Sequence, residues 1–289
     1  AMYAAKRSGS RVHLFEYASD EARLGRLLLS SEAGAALESE QIKPWFQPKV
    51  DLTTGAIVGA EALVRWHHPE RGVLLPAEFL DIVELSKHRK ALCQTVIEHG
   101  IDLLARTAAV HRPVDVAVNV SIRDLLDPAF PAMVGDRLAD SGVAPDRLTV
   151  EVTERDLMED NTGFRRAAEA IEATGVTLSI DDFGTGHSSL IRLHQLPVRE
   201  LKIDRSFVTQ LGTDPEAEII VRSIIELGAS LGQRVVAEGI EDEAEAERLL
   251  QFGCRFGQGY LYSPAIPADE FLALLEREAP VGEAPGLTR

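Results

Sequence analysis

The chain contains 289 residues, of which 45% are hydrophobic and 26% charged, and its formal net charge is −16 at pH 7. This negative charge argues against a nucleic-acid partner, and a chain of this length can bury a core without disulfide staples. Cys93 and Cys254 are far apart and lack metal-ligand spacing, so we predict two buried, reduced thiols in a cytoplasmic protein.

The first residues of the chain predict that it is part of a longer protein. The first residues, AMYAAKRSGSRVHLFE, read as the end of a helix, a Ser-Gly turn and a short strand, with no helix cap before them. We interpret residues 1–19 as the remnant of an upstream domain, residues 20–41 as a linker helix, and the Pro- and Gly-containing residues 279–289 as a flexible tail. No apolar run approaches the roughly 18 residues that a membrane helix needs. We therefore predict no membrane contact by this chain, although a longer parent protein could be membrane-attached.

Residues 42–278 alternate short apolar segments with helical stretches. The predicted strands are 44–52, 56–66, 114–121, 147–154, 176–183, 199–204, 234–241 and 256–263. The predicted helices are 77–85, 89–104, 131–141, 162–173, 188–193, 215–231, 242–252 and 268–277. Alternation of this kind indicates parallel βαβ units, and about eight of them favour a closed barrel. The short turn LTTG predicts that the first two strands form an antiparallel hairpin. The predicted fold is therefore α/β, a TIM-type (β/α)8 barrel variant with one antiparallel strand.

Polar side chains recur at the carboxyl ends of the predicted strands, which in a barrel share the face where active sites are built. They are Gln47, Glu61, Arg65, Asn119, Glu151, Glu154, Asp181, Asp182, Lys202, Asp204, Glu238, Glu241 and Gln258. A single acidic residue after a strand is usually a helix cap or turn residue. We prefer this capping or turn interpretation for Asp204 and Asp242. For Glu241 we leave open whether it is a cap residue or a site residue. Capping does not explain the remaining carboxylates, which would repel one another if they were left unpaired.

Divalent metals would resolve this repulsion, because Mg²⁺ and Mn²⁺ prefer carboxylate and amide oxygens. The adjacent Asp181 and Asp182 could join two metals about 4 Å apart, as in phosphoryl displacements. Lys202 fits as a cation that positions water, since surrounding carboxylates would raise its pKa and oppose Schiff-base chemistry. The set contains no histidine, which argues against zinc. We interpret the nearby histidines as loop or surface residues: His67, His68, His187 and His194.

Seven ordered motifs between about Glu32 and Glu276 together resemble an EAL-domain cyclic-di-GMP phosphodiesterase. They are AEALVRW at 60–66, NVS at 119–121, EVTE at 151–154, DDFGTGHSSL at 181–190, LKID at 201–204, AEGIE at 237–241 and GQGYLYSP at 257–264. Each motif alone is weak, but their common order makes chance a poor explanation. The segment before residue 20 similarly resembles the end of a GGDEF domain.

This resemblance implies hydrolysis of cyclic di-GMP to linear pGpG with Mg²⁺ or Mn²⁺ in a two-metal site. It implies the metal ligands Glu61, Asn119, Glu151, Asp181 and Asp182. It also implies that Glu238, Lys202 and Glu61 are catalytic, and that Glu154 anchors the loop after Asp182. The implied substrate contacts are Gln47, Leu63, Arg65 and Gln258.

The resemblance leaves three functional classes open. An inactive cyclic-di-GMP receptor typically lacks one of the ligands or the base, and all of these residues are present here, which favours the enzyme. A scaffold with vestigial chemistry has no use for an intact site. The implied partners are cyclic di-GMP, an upstream GGDEF domain and a second copy in a homodimer, whose interface in this family often includes the segment around residues 182–189.

Overall fold

The computed structural model describes residues 17–155, 161–186 and 193–277. The chain divides into two compact units. The smaller comprises the described residues up to Ile42 together with Trp66–Leu92, and the larger comprises Lys43–Arg65 and the described residues from Cys93 onward. The residues predicted to form the site all belong to the larger unit.

Eight strands of the sheet close into a barrel around an apolar and charged interior. In chain order the strands are β1 (Ile42–Asp51), β2 (Ile57–His68), β3 (Gly72–Leu74), β4 (Asp115–Asn119), β5 (Leu148–Thr153), β6 (Thr177–Phe183), β7 (Glu200–Ile203), β8 (Arg234–Ala237) and β9 (Phe256–Gln258). The sheet order is β1-β9-β8-β7-β6-β5-β4-β2-β3, and a further pairing of β1 with β2 closes the ring.

The barrel has the irregularity that the sequence predicts. β1 pairs antiparallel with β9, with Lys49 opposite Gln258, whereas β2, β4 and the following strands pair in parallel up to β9. The turn between β1 and β2 includes a hydrogen bond from Gly55 N to Asp51 O. The prediction of an α/β barrel with one antiparallel strand is therefore confirmed.

Most of the described helices lie where the sequence predicts them, whereas the two four-residue helices at Ile122–Leu125 and Arg205–Val208 were not predicted. The helices are α1 (Tyr17–Glu38), α2 (Pro76–Glu84), α3 (Arg89–Ala109), α4 (Ile122–Leu125), α5 (Phe130–Ser141), α6 (Asn161–Glu172), α7 (Arg205–Val208), α8 (Pro215–Leu231), α9 (Glu243–Gln251) and α10 (Ala268–Arg277). Local chemistry sets their ends. The Asp214 side chain caps α8 by accepting from Glu216 N, and Gly232 ends that helix in the left-handed conformation.

The prediction that Asp204 and Asp242 cap helices is confirmed. Asp204 accepts from Ser206 N at the start of α7, and Asp242 accepts from Glu245 N at the start of α9. The 3-residue strand β3 was not predicted, because GVL is too short to show an alternating pattern.

His68 belongs to the smaller unit, and the prediction that it is a loop or surface residue is wrong. His68 ends β2 and is buried; its Nε2 lies 3.0 Å from Glu32 Oε2, and its Nδ1 accepts from the backbone N of Glu70 and of Arg71. The ring therefore organises the tight connection from β2 to β3. The sequence around His68, which precedes Pro-Glu-Arg-Gly, does not indicate whether the histidine is buried or lies on the surface.

Several predictions lie outside the described residues. These are the helix end and strand in residues 1–16, most of the predicted helix 188–193, His187, and the tail 279–289. Within the part of the chain that is described, no helix is both long and apolar enough to cross a membrane.

Candidate metal-binding site in the barrel

The strand registers bring the predicted site residues to one end of the barrel. Glu61 on β2 lies opposite Ala117, two residues before Asn119, and Asn119 lies opposite Glu151 on β5. Thr153, two residues beyond Glu151, lies opposite Asp181 on β6. Because side chains alternate along a strand, residues separated by two positions face the same side of the sheet.

Lys202 is the centre of this site. Its side chain is fully buried on β7, and its Nζ lies within ion-pair distance of four carboxylates. The distances are 3.0 Å to Glu61, 2.8 Å to Glu151, 3.2 Å to Asp181 and 2.6 Å to Glu238. Three strands and the residue that follows β8 thus contribute acids to one ammonium group, which compensates only part of their charge.

Amide groups fix the orientation of the acids. Asn119 Nδ2 donates to Glu61 Oε1 over 2.7 Å. Gln258 Nε2 donates to Glu61 Oε2 and, over 3.1 Å, to Glu238 Oε1. The Gln258 Oε1 atom is buried and has no hydrogen-bond partner among the described residues. A buried amide oxygen without a partner suits a site that accepts a donor or a cation.

Two charged residues beneath the cluster, Lys49 and Glu200, were not predicted from the sequence. Lys49 on β1 is buried, and its Nζ contacts Glu151 Oε1 at 2.8 Å and Glu200 Oε1 at 3.2 Å. Glu151 is thereby held between Lys49 on one oxygen and Lys202 on the other. The inward alternation of Gln47 and Lys49 along β1 could have indicated this position.

Burial and charge shift the pKa values of these groups in different directions. Burial opposes a charged lysine, yet the surrounding carboxylates raise the pKa of Lys202 well above its usual value. Burial also raises the pKa of Glu61, but Lys202 and Lys49 outweigh this effect and lower that pKa to about 2. For Glu151 burial prevails over the two lysines, and its pKa rises to about 7. A raised pKa favours the ammonium form of Lys202, which opposes Schiff-base chemistry.

The donor set fits divalent cations that prefer oxygen ligands. Carboxylate oxygens of Glu61, Glu151 and Asp181 lie within 4.8 Å of one another, and so do those of Asp181, Asp182 and Glu238. Asp181 belongs to both groups, which is the arrangement expected of a bridging ligand. Burial, followed by repulsion from Asp181 and Asp204, raises the pKa of Asp182 to about 6. Such mutual repulsion is what a bound cation would relieve.

The backbone at the end of β6 is strained. Asp182 has φ 55°, a left-handed conformation that non-glycine residues adopt infrequently and that clusters at functional sites. Its N–H donates to Asp181 Oδ1 over 2.9 Å. The buried Glu154 carboxylate accepts from Gly184 N at 2.9 Å and from Gly186 N at 3.0 Å. Glu154 therefore holds the first residues of the loop that follows Asp182.

A cavity of about 200 Å³ adjoins the carboxylates. Gln47, Leu63 and Gln258 line it together with Glu61 and Glu238. Gln47 Nε2 also donates to Ser263 O over 3.1 Å. Unlike these three predicted substrate contacts, Arg65 is not among the residues that line this cavity. Its Nη1 donates to Val64 O at 2.8 Å, and its guanidinium lies 5.8 Å from the centroid of the Trp45 ring.

The fold and the site together define an α/β-barrel protein with an acidic, metal-compatible centre at the carboxyl ends of its strands. The chain belongs to the EAL domain family, whose model matches residues 31–265. The family and fold that the seven motifs predict are therefore confirmed.

The chain is similar to several curated relatives. It is 37% identical over 279 residues to the bifunctional diguanylate cyclase/cyclic di-GMP phosphodiesterase MucR of Pseudomonas aeruginosa, covering 94% of this chain and 40% of MucR. It is 36% identical over 270 residues to the oxygen sensor protein DosP of Escherichia coli, covering 93% and 34%. It is 32% identical over 236 residues to the cyclic di-GMP phosphodiesterase RocR of P. aeruginosa, covering 82% and 60%. The chain thus spans less than two thirds of the length of each.

Two solved structures superpose closely on this chain. The structure described as a PaMucR phosphodiesterase in complex with c-di-GMP superposes with a TM-score of 0.81 at 36% identity, covering 84% of this chain and 99% of that one. A form of the EAL enzyme Bd1971 with cAMP and cyclic di-GMP bound superposes with a TM-score of 0.82 at 32% identity, covering 88% and 69%.

Proposed function

We propose that this chain is a metal-dependent phosphodiesterase domain that hydrolyses cyclic di-GMP to linear pGpG. The observation that carries the proposal is the buried Lys202 ammonium, surrounded by Glu61, Glu151, Asp181 and Glu238 beside a cavity. The names of MucR and RocR, and the c-di-GMP complex of PaMucR, support the same reaction for relatives of this chain.

The residues that would hold Mg²⁺ or Mn²⁺ are Glu61, Asn119, Glu151, Asp181 and Asp182. When bound, a pair of such ions neutralises phosphoryl oxygens and makes a water molecule more acidic. Other residues of the chain orient the ligands and hold the adjacent loop. Asn119 and Gln258 orient the Glu61 carboxylate, and Glu154 keeps the loop after Asp182 in place.

In the proposed reaction, Lys202 holds the attacking water and Glu238 accepts its proton. Lys202 Nζ shares three N–H donors among four carboxylates, so it would hold the attacking water in line with phosphorus by exchanging one of these contacts for the water oxygen. Burial and repulsion from Asp181 raise the pKa of Glu238 well above its usual value, although Lys202 opposes this shift. A more basic carboxylate is a better proton acceptor near neutral pH. Glu238 would thus take a proton from the attacking water as the new bond to phosphorus forms and the bond to the leaving ribose oxygen breaks, and that oxygen would take a proton from solvent.

Substrate contacts come from residues that line or flank the cavity. Gln47, Leu63 and Gln258 face it directly. Arg65 has the guanidinium geometry that suits a phosphate, and it requires a side-chain movement away from Val64 O to reach one.

Turnover tests the proposal directly. The chain is incubated with cyclic di-GMP and Mg²⁺ or Mn²⁺, and pGpG is separated by chromatography. We expect turnover that depends on the metal and is abolished in Glu61→Ala. Tight binding without turnover would instead identify a receptor, and full activity of Glu61→Ala would refute the site assignment.

The proposed context is a larger cytoplasmic signalling protein. In this proposal residues 1–19 belong to a GGDEF domain, residues 20–41 form the linker helix, and residues 42–278 form the phosphodiesterase barrel. The diguanylate cyclase named in MucR supports such an upstream domain. A homodimer assembled through the segment around residues 182–189 is expected, and light scattering on the eluting peak of a sizing column measures it.

A further inference from the structure

A buried ion pair lies beneath the carboxylate cluster, and the proposed reaction assigns no role to it. Lys49 on β1 and Glu200 on β7 are 7% and 3% exposed, and Lys49 Nζ lies 3.2 Å from Glu200 Oε1. The same Nζ lies 2.8 Å from Oε1 of Glu151, one of the residues that would hold a metal. Because burying two charges is costly even when they are paired, apolar residues could fill this place at least as well. The pair is therefore a candidate for a functional role.

The strand register places Glu151 and Glu200 in one row of side chains. Ser179 on β6 lies opposite Glu151 on β5 and opposite Glu200 on β7. Residues that lie opposite one another on neighbouring strands face the same side of the sheet, and these three are buried. β1 is not a neighbour of β5 or β7 in the sheet, so Lys49 crosses the barrel interior to reach the two carboxylates.

Further ion pairs continue from Glu200 to the amino ends of the strands. Arg234 Nη1 lies 3.7 Å from Glu200 Oε2 and 3.1 Å from Asp115 Oδ2. Arg147 Nη1 lies 3.0 Å from the other Asp115 oxygen. Asp115 and Arg234 are the first residues of β4 and β8. Glu200 is thus held on one oxygen by Lys49 and approached on the other by Arg234, which fixes its carboxylate.

The space around the Lys49 ammonium is small. A cavity of about 10 Å³ lies at this level of the barrel, and Lys49, Thr149, Glu200 and Arg234 are among the residues that line it. This is about the volume that one water molecule occupies. The ammonium group therefore has little room to move away from the two carboxylates that it contacts.

We propose that Lys49 and Glu200, here called the buried pair, position Glu151 as a metal ligand. Lys49 holds Glu151 Oε1 and Lys202 holds Oε2, each at 2.8 Å, which fixes the rotation of the carboxylate. Each carboxylate oxygen has a second lone pair, so both oxygens can still accept a cation. Partners of this kind orient a ligand before the metal binds. The inference rests on the proposed function, because it concerns the metal site of the same reaction.

Glu200 makes the buried pair electrically neutral. A lysine without this partner would add a positive charge close to the proposed cations, and like charges repel strongly where solvent screens them little. With Glu200 as its counter-ion, Lys49 supplies a hydrogen bond to Glu151 while the pair adds no net charge. If the pair acts through position, variants that keep the net charge should still weaken cation binding. If it acts through charge alone, such variants should bind cations as the wild type does.

Two variants of the complete chain that keep its net charge test the inference, with Mn²⁺ alone as the probe. Lys49→Met/Glu200→Leu deletes the donor to Glu151 Oε1, and we expect its Tm in a chelator to be close to that of the wild type, because apolar residues often replace a buried ion pair without loss of stability. Lys49→Arg keeps the charge but replaces the ammonium by a planar fork. Both should weaken Mn²⁺ binding by about 10–100-fold, measured from the electron paramagnetic resonance signal of free Mn²⁺.

The matched control is Arg165→Gln/Glu169→Gln. This exposed pair on α6, with Arg165 Nε 2.8 Å from Glu169 Oε1, also loses one charge of each sign. Neither residue belongs to the groups of acids that could hold a metal, so the control should bind Mn²⁺ as the wild type does.

The outcomes separate this inference from the proposed function. Either test variant, if folded by far-UV circular dichroism, overturns the inference when it binds Mn²⁺ as tightly as the wild type, and the proposed reaction then stands. The two variants differ in size, so a packing failure in one does not affect the other. A wild type that binds Mn²⁺ without hydrolysing cyclic di-GMP overturns the proposed reaction, and the Mn²⁺ affinities still decide the role of the buried pair. A wild type that does not bind Mn²⁺ overturns both.

Discussion

At the scale of single residues, Lys202 combines structural and chemical roles. Without it, Glu61, Glu151, Asp181 and Glu238 would lose the ammonium group that they share. Because it is fully buried, its charge is screened little by solvent. The same contacts therefore stabilise the metal-free site and, in the proposed reaction, would place a cation where the transition state gains negative charge.

Replacing Lys202 by Met should reduce turnover of cyclic di-GMP by on the order of 100-fold or more, since loss of one preorganised donor costs about that much. Initial rates of pGpG formation at saturating substrate measure it. A Lys202→Met enzyme that is folded and within a fewfold of the wild type would contradict the assigned role.

Lys49 should matter to stability even though it lies beneath the reacting groups. Lys49→Met leaves Glu151 and Glu200 without their shared partner, and breaking a buried ion pair from one side costs about 3–5 kcal/mol. Urea unfolding in the presence of a chelator measures the free energy of unfolding. Lys43→Met, a partly exposed residue at the start of the same strand, is the control and should change it by less than about 0.5 kcal/mol.

Cys254 should be chemically inert in the native state. Burial raises the pKa of its thiol to about 12, although hydrogen bonds from the backbone oppose this, so almost none of it is thiolate at pH 8. We expect negligible reaction with a thiol-disulfide reagent at pH 8 in buffer and rapid reaction of both buried cysteines in guanidinium chloride. Rapid modification of the folded chain would show that the core opens readily.

Several site residues could be predicted from the sequence because they follow apolar runs. Asn119 ends β4 and Asp181 lies near the end of β6, and strand ends in a barrel meet on one face, whereas Glu61 lies within the longer strand β2. Lys49 and His68 could not be predicted in this way. Lys49 contacts a residue 102 positions away, and only the closed barrel brings that residue close.

At the scale of elements, strand starts were predicted more accurately than strand ends. β8 and β9 end at Ala237 and Gln258, whereas the apolar pattern continues to about residues 241 and 263. Tyr262 N bonds to Gly259 O instead of continuing the ladder. The chain leaves the sheet at these points to form the cavity, and hydrophobic pattern does not report such a departure.

The hairpin between β1 and β2 depends on the Asp51 carboxylate. It accepts from Thr53 N at 2.9 Å and from Arg255 Nε at 2.8 Å. Burial raises its pKa, but these hydrogen bonds outweigh that effect and lower it below the usual value. Because the folded-state pKa is depressed, the stabilisation is complete above the unfolded-state pKa near 3.9 and is lost as the pH falls through the folded-state value.

Asp51→Asn should therefore reduce the free energy of unfolding by about 1–3 kcal/mol between pH 5 and 8, and the difference should shrink below about pH 4. Denaturant titrations at several pH values measure this. The exposed Asp136→Asn is the control. A deficit that stays constant down to pH 2 would mean that Asp51 acts through packing alone.

At the scale of the whole molecule, the concentration of like charge inside the barrel should make stability depend on divalent cations. A cation that binds only the folded state stabilises it by about 2.7 kcal/mol at 100 times its dissociation constant. We expect Mg²⁺ or Mn²⁺ to raise Tm over that in a chelator, and Asp181→Asn to remove most of this rise, because Asp181 belongs to both ligand groups. An equal rise in the variant would place the bound cation elsewhere.

The antiparallel contact between the first and last barrel strands has a consequence for synthesis. Lys49 and Gln258 pair across more than 200 residues of chain, so the ring cannot close until β9 has left the ribosome. Contacts of such separation form slowly. Glu61 receives the Gln258 amide only at that late stage, so a chain truncated before residue 256 would contain every acidic ligand and still lack a formed site.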